Sequence, residues 1–202
     1  TAKALATVFL CEKPQSAEPC GRCDSCRLME AGTHPDYHVI YKELIRVHDR
    51  TGKSKGIDLS INVLRPELIE PAGRKAGMGV GKVVVIEQAE LMNPQAQNGI
   101  LKTLEEPAGR TIIILLTDSP GWLLSTIRSR CQVVQFSPLD RKTVAEKLAG
   151  RKIDPVLARD AAALADGSLG VALMWIADGV IDPARQLVGM IDTVLAGGEG
   201  GD

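Results

Sequence analysis

The chain has 202 residues, enough for one sizeable hydrophobic core and a second, smaller domain. Its 24 basic and 25 acidic residues leave a net charge of −1, so the composition lacks the general electrostatic footprint of a nucleic-acid-binding protein. No apolar run reaches the roughly 18 residues of a membrane-spanning helix, and no secretory signal is visible at the start.

The first predicted element is a helix. Residues 1–10, TAKALATVFL, place Ala4, Leu5, Val8 and Phe9 at helical spacing. The segment lacks a Met and has the pattern of a helix already under way. We therefore expect the chain to begin partway into its first domain.

Four cysteines follow at a spacing typical of a metal site. They form the pattern C-x8-C-x2-C-x2-C and are Cys11, Cys20, Cys23 and Cys26. A pair of thiolates separated by two residues holds one face of a metal ion, and four thiolates complete a tetrahedral Zn²⁺ shell. The sequence therefore predicts a closed, structural zinc site in a module over residues 11–35. An iron–sulfur cluster is the alternative, but the segment has few apolar residues to shield a redox centre.

Other ligands and pairings of these cysteines fit less well. Disulfides are typical of secreted proteins, and nothing marks this chain as secreted. His34 and His38 could bind a metal, but four thiolates already fill the shell, so both are predicted to be ordinary polar residues. Cys131 lies far away in the sequence and is left out of the site.

The region after the module is predicted to contain a strand, a loop and a helix. Residues 38–41 read as a short strand, and residues 57–76 as mostly helix with Ser60 as its N-cap. Residues 46–57 between them are polar, basic and glycine-containing, which predicts a loop. Its basic residues could contact DNA phosphates, although charged loops more often face water. These residues are Arg50, Lys53 and Lys55.

A glycine-rich stretch over residues 76–82, AGMGVGK, resembles the end of a phosphate-binding loop. Val83 stands where such a loop has the Ser or Thr that contacts Mg²⁺. The stretch also precedes a strand, whereas a phosphate-binding loop follows a strand and opens a helix. We therefore predict a turn.

The strongest structural pattern is a strand, a helix and a second strand. Residues 83–86 and 112–116 are short runs of Val, Ile and Leu without alternation, typical of parallel strands buried on both faces. Asn93 and Pro94 predict the start of a helix that ends before Pro107. The sequence therefore predicts a βαβ unit in an α/β fold.

Polar residues follow both strands, at the sheet edge where α/β proteins build their sites. Glu87, Gln88 and Glu90 follow the first strand, and Thr117 and Asp118 follow the second. In nucleotide hydrolases an Asp at this edge holds Mg²⁺ and a Glu orients water. Gln88 can hydrogen-bond but cannot act as a base near neutral pH. A merely solvated strand end explains these residues as well.

The remaining sequence predicts one more strand and a second domain. Residues 120–130 form a short helix that ends at Arg130, which taken by itself is best explained as a surface salt-bridge residue. Residues 133–136 form a final strand. Only helical patterns follow Pro138, so residues 1–137 are predicted as an α/β domain and residues 138–202 as a helical domain.

Two motifs together resemble a known family. Residues 100–120 include Leu-Glu-Glu-Pro at the helix end, and residues 126–132 include Ser-Arg-Cys. They are similar to the bacterial clamp-loader branch of the AAA+ proteins, and the similarity extends from about residue 1 to residue 178. The resemblance implies an AAA+-type parallel sheet flanked by helices, with an inserted zinc module of the same cysteine spacing, followed by a small all-helical lid domain.

The resemblance also implies a function. It implies a subunit of the cytoplasmic DNA polymerase III clamp loader, which loads the sliding clamp onto primed DNA. The implied partners are the gamma/tau and delta subunits and, through the assembly, the clamp and primer–template DNA. Arg130, the Arg of Ser-Arg-Cys, would act in trans as an arginine finger on the ATP of a neighbouring subunit.

Two kinds of subunit fit the resemblance. One is non-catalytic, structural and free of bound ATP; the alternative is an ATP-hydrolysing motor of the gamma/tau type. Three departures from the ATP-binding relatives favour the first: Glu87 for the Mg²⁺-binding Asp, Gln88 for the catalytic Glu, and Gly170 for a sensor Arg. A zinc-containing helicase loader or repair ATPase fits the motifs less well.

Overall fold

The computed structural model describes residues 1–48 and 58–197. The chain divides into two compact units, Thr1–Val133 and Val134–Asp202. The first unit contains a parallel sheet with helices on both faces, and the described part of the second contains helices.

The elements of the first unit are, in chain order, α1 (Ala2–Leu10), α2 (Asp24–Ala31), β1 (Tyr37–Ile40), α3 (Leu44–His48), α4 (Ile61–Leu64), a π-helical turn (Arg65–Ile69), α5 (Glu70–Ala72), β2 (Lys82–Ile86), a 3₁₀ turn (Ala89–Leu91), α6 (Pro94–Glu105), β3 (Thr111–Leu115), a second 3₁₀ turn (Pro120–Trp122) and α7 (Ser125–Arg128). Those of the second unit are α8 (Arg141–Ala149), α9 (Pro155–Leu164), α10 (Leu169–Ala177) and α11 (Ile181–Gly197).

The sheet has the order β1-β2-β3 with all strands parallel. Successive residues of β2 point to opposite faces, so β2 contributes to two cores. Val84 and Ile86 pack in the core that includes residues of α4, α6 and α7. Val83 and Val85 pack in the core that includes residues of α1 and α2. The predicted α/β fold, with a parallel sheet flanked by helices, is confirmed.

The predicted βαβ unit is also confirmed, and its helix begins where the cap was expected. The Asn93 side chain accepts a hydrogen bond from the backbone N–H of Ala96 at 2.9 Å, and Pro94 is the first residue of α6. The prediction that both strands are buried on both faces is confirmed for β2 but wrong for β3, which is only half-buried. β3 is less buried than β2 because it lies at an edge of the sheet, whereas β2 lies in the middle.

The helix predicted over residues 57–76 is shorter and irregular. It begins after Ser60, whose side chain makes no capping hydrogen bond, and ends at Ala72. Pro66 has no N–H to donate to the preceding turn, and the ladder shifts to a π pattern in which Glu70 N–H donates to Arg65 O.

The loop predicted over residues 46–57 is only partly within the described residues. Its first residues belong to α3, so the predicted start of the loop is wrong. The basic residues proposed for phosphate contacts, Arg50, Lys53 and Lys55, lie outside the described part of the chain.

The final strand predicted over residues 133–136 is wrong. The segment has no strand pairing in the described structure, and Val133, Val134 and Phe136 are exposed. A run of β-branched and aromatic residues becomes a strand only where another strand satisfies its N–H and C=O groups.

The second unit is a small helical bundle with an alanine-rich core. Side chains cap three of its helices: Asp140 accepts from Thr143 N–H, Asp154 from Val156 N–H and Ser168 from Val171 N–H. The core comprises Val144, Leu148, Ala158, Ala161, Ala162, Ala165, Ala172 and Ile181.

Among the described residues, no single helix is long and apolar enough to cross a membrane. The pair α9 and α10 would pass together by length and composition alone, but the two helices are bent by 120° at the break between them.

Candidate functional site

The four predicted metal ligands come together at the start of the chain. The Sγ atoms of Cys11, Cys20, Cys23 and Cys26 all lie within 4.8 Å of one another, and those of Cys11 and Cys23 are 3.9 Å apart. A tetrahedral shell with metal–sulfur bonds of about 2.3 Å needs sulfur atoms about 3.8 Å apart. The cluster can therefore hold one metal ion with shifts of an ångström or less. None of the five cysteines forms a disulfide.

Local backbone structure explains how the thiols meet. Cys11 caps the C-terminus of α1 and Cys23 caps the N-terminus of α2, where its sulfur accepts from Cys26 N–H at 3.4 Å. The Cys20 N–H donates to the Cys11 sulfur at 3.3 Å. Gly21, with φ of +69°, takes the left-handed conformation that turns the chain between Cys20 and Cys23.

The environments of two of the four thiols differ. Hydrogen bonds from the backbone of Arg22 and Cys23 lower the pKa of Cys20 to about 6, so its thiolate forms readily. Burial raises the pKa of Cys26 to about 12, since its side chain is only 5% exposed. A bound metal would have to displace that proton, as metals do from coordinating thiols.

His34 lies beside this cluster without joining it. Its Nε2 is 2.8 Å from Ser25 Oγ, and its Nδ1 accepts from Asp36 N–H at 3.1 Å. Ser25 Oγ in turn donates to Leu10 O at 2.6 Å. Nδ1 is therefore the acceptor and Nε2 carries the proton. The ring ties α1, α2 and the start of β1 together, and burial lowers its pKa. The cluster of potential metal ligands consists of the four cysteines and includes neither His34 nor His38.

The polar strand ends lie at one edge of the sheet. Ile86 pairs with Leu115, so residues 87–88 and 117–118 leave the sheet side by side. Glu87 and Gln88 are exposed, and Gln88 has a φ of +52°, uncommon for a residue with a side chain. The two residues directly after β2 are therefore Glu and Gln, rather than the Asp and Glu of a nucleotide hydrolase.

The predicted turn over residues 76–82 is confirmed. The buried Asp36 carboxylate accepts from Gly77 N–H at 2.7 Å and from Met78 N–H at 2.8 Å, which fixes the turn before β2. Lys82 is buried at the start of β2, and its ammonium donates to Arg74 O at 3.0 Å and to Pro71 O. Lys82 caps the end of α5 and is not available to bind phosphate.

Arg130 lies just past α7 and forms an ion pair with Glu105 at the end of α6. Its Nη1 also donates to Thr126 O at 2.9 Å. Both charged side chains are partly exposed, Arg130 by 35% and Glu105 by 45%. The pair links the Ser-Arg-Cys motif to the Leu-Glu-Glu-Pro motif; the sequence analysis offered a surface salt bridge as one explanation of Arg130 but did not identify Glu105 as its partner.

Gln97 is a second residue that the sequence analysis missed. It is buried on α6, and its amide nitrogen donates to Met92 O at 2.9 Å and to Trp122 O at 3.2 Å. Its oxygen accepts from Leu124 N–H at 2.7 Å. Gln97 thereby fixes the segment that leads to α7 and Arg130. A polar residue on the apolar stripe of a helix is the signal that could have identified it.

We expect Gln97→Leu to lower the free energy of unfolding by roughly 2–4 kcal/mol, since buried backbone groups lose their partners. The measurement is urea unfolding. Asn98→Ala is the matched control: this neighbour is exposed and its amide donates to Pro94 O within its own helix, so the change should stay within about 0.5 kcal/mol. Equal stability of the Leu variant and the unmutated protein would contradict the role of Gln97.

Comparison with known proteins identifies the family. The profile of the family described as "DNA polymerase III, delta subunit" matches residues 1–140. A DNA polymerase III subunit delta′ of Pseudomonas aeruginosa is 34% identical over 197 residues. The subunit delta′ of Escherichia coli is 40% identical over 135 residues. The chain belongs to the DNA polymerase III delta-prime family. The motif-based resemblance to bacterial clamp loaders is thereby confirmed.

The coverage of these matches is unequal. The Pseudomonas aeruginosa alignment covers 96% of this chain but 56% of the relative, and the Escherichia coli alignment covers 67% and 37%. The chain thus spans about half the length of the first of these family members. A DNA polymerase III subunit tau of Salmonella typhimurium is 29% identical over 199 residues, covering 98% of this chain and 27% of the relative.

Proposed function

We propose that this chain is part of a non-catalytic clamp-loader subunit that donates Arg130 to ATP on a neighbouring subunit. The proposed assembly contains gamma/tau and delta subunits, belongs to the cytoplasmic replication machinery and loads the sliding clamp onto primer–template DNA. In this proposal residues 1–137 are an AAA+-type domain and residues 138–202 its helical lid. The observation that carries the proposal is that a partly exposed arginine follows α7 while the base position after β2 holds Gln88.

The strand edge supports a subunit that does not hydrolyse ATP. The first residues after β2 are Glu87 and Gln88, and an amide side chain cannot take a proton from water at neutral pH. Gly170, at the proposed sensor position on α10, is exposed, and an added Cβ would meet only Ser168 Oγ at 3.9 Å. A larger side chain would therefore fit at this position. The absence of an arginine there is consistent with a helical lid that has no nucleotide to sense.

The environment of Arg130 supports a role in trans. Its present partner, Glu105, is a partly exposed carboxylate, and exposed ion pairs contribute at most about 1 kcal/mol. A nucleotide phosphate carries more charge and accepts the planar guanidinium in a bidentate manner. Exchange of Glu105 for a phosphate on a docked neighbour is therefore favourable.

The metal proposed for the cysteine cluster is Zn²⁺. Four thiolates leave no open position, so the ion would be structural rather than catalytic. The close sulfur spacing, within 4.8 Å, supports a single ion, because a multi-iron cluster holds its thiolates further apart. Zinc would cross-link the end of α1 to the start of α2.

The second candidate is an ATP-hydrolysing motor of the gamma/tau type, favoured by the alignment of the tau relative to 98% of this chain. We expect the purified chain to show no steady ATP turnover, because Gln88 cannot serve as the base. The measurement is phosphate release under multiple-turnover conditions, with Gln88→Ala as the comparison. Turnover that is lost in Gln88→Ala would favour the motor.

A further inference from the structure

We propose that Trp122 is the apolar anchor of the surface through which this chain docks on the ATP-holding subunit that Arg130 reaches. The inference rests on the proposed function of Arg130, because it takes that subunit as the partner. It adds a residue that touches the partner protein rather than the nucleotide.

The side chains of the segment before Arg130 divide between core and solvent. Leu123 is 6% exposed and Ile127 is fully buried, whereas Trp122, the last residue of the second 3₁₀ turn, is 76% exposed. Leu123 and Ile127 attach the segment to the core that contains residues of α6. The indole, the largest apolar group of the segment, is left in water, and tryptophan is among the residues most enriched at energetic centres of interfaces.

The backbone that carries the indole is fixed before any partner binds. Trp122 O accepts from the buried Gln97 amide at 3.2 Å, and Trp122 N–H donates to Ser119 O at 3.0 Å. Leu124 N–H donates to the same Gln97 side chain at 2.7 Å. Little backbone freedom remains to be lost on docking, and this lowers the entropy cost of association.

The indole and the proposed finger belong to one surface along α6. The backbone of Trp122 is held at Gln97, and Arg130 is held at Glu105, eight residues further along the same helix. At 1.5 Å per residue the two attachment points are about 12 Å apart. A standard interface covers about 800 Å² on each partner, which is wide enough to include both side chains.

The charge of the segment indicates what the partner presents. Residues 120–130 contain two arginines, Arg128 and Arg130, and no acidic residue, and Glu105 on α6 pairs with Arg130. An anionic group beside an apolar pocket complements this surface, as an ATP-holding subunit would provide with its phosphates. Single-stranded DNA also pairs phosphates with bases that stack on aromatic rings, so it is the outcome against which the proposal is tested.

The test measures the affinity of the full-length protein for a purified gamma/tau-type subunit loaded with a non-hydrolysable ATP analogue. We expect Trp122→Ala to raise the dissociation constant about tenfold or more and Trp122→Phe to raise it much less. Leu5→Ala is the control, because Leu5 is 53% exposed on α1, which packs on the opposite face of the sheet. The affinity of this variant for the partner subunit should not change. When the Trp122→Ala variant is present at a concentration that saturates the partner subunit, the ATPase activity should equal that with the unmutated protein.

If the Trp122→Ala variant is folded and its affinity is unchanged, the proposal is overturned. If the alanine variant unfolds, the same measurement is made with Trp122→Gln. A loss of affinity for primed DNA with unchanged subunit affinity also overturns it and assigns the indole to nucleic acid. The finger is tested separately. If Arg130→Ala leaves ATPase normal while Trp122→Ala weakens docking, the proposed function fails and the docking surface stands.

Discussion

Removal of the metal from the four-cysteine cluster is expected to unfold residues 11–35 and leave the sheet folded. Structural zinc supplies on the order of 10 kcal/mol of apparent binding free energy in small modules. Residues 12–19 are exposed and bury no apolar side chain that could replace it. The fully buried strand β2 packs against α6 in a core that contains no cysteine ligand. Hydrogen exchange before and after chelation measures both regions in one experiment.

A matched pair of cysteine variants isolates the ligand effect. Cys26→Ser removes a buried ligand and should release the metal, whereas Cys131→Ser changes a half-buried thiol outside the cluster and should retain it. Elemental analysis should give one zinc per chain in the unmutated protein. Gently purified protein that contains no zinc, or contains iron with visible absorbance, would refute the zinc assignment.

Arg130→Ala in an assembled clamp loader is expected to suppress ATP hydrolysis at the facing site by roughly 10³–10⁵-fold, the range found for arginine fingers. Total ATPase should fall only partly, because the proposed assembly has several ATP sites. The fold should survive, since Arg130 is partly exposed and its ion pair with Glu105 contributes little. Arg130→Lys should not rescue activity, because an ammonium lacks the planar fork of the guanidinium. ATPase assays with clamp and primed DNA measure these effects.

Two controls separate the finger from a general charge effect. Arg74→Ala removes another exposed arginine that pairs with a carboxylate, Glu70 at 3.6 Å, and should leave ATPase unchanged. Glu105→Gln releases Arg130 from its present partner and should retain or raise ATPase, because no carboxylate then competes with the phosphate. Normal ATPase and clamp loading in a correctly assembled Arg130→Ala complex would leave Arg130 as a surface residue.

The sequence by itself determined the features that depend on neighbouring residues. The βαβ unit follows from two unalternated apolar runs and from the Asn93–Pro94 start of α6, and all of these signals are local. The clustering of the four cysteines follows from their spacing, because the short loops between them keep their sulfur atoms within reach of one ion. The resemblance to clamp loaders added the family, which the profile match over residues 1–140 confirms.

Tertiary structure decided the features that depend on which distant segments meet. The half-burial of β3, and the lack of strand pairing at residues 133–136 within the described part of the chain, reflect the neighbours available to each segment, which an apolar pattern does not encode. The Glu105–Arg130 pair and the hydrogen bonds of Gln97 with Trp122 and Leu124 join residues 25 to 27 positions apart, so no local pattern specifies them. The same packing leaves Trp122 in solvent while the leucine beside it is buried. The Ser-Arg-Cys motif identifies Arg130 in the sequence, but contacts with α6 determine where its guanidinium and the segment that carries the indole lie.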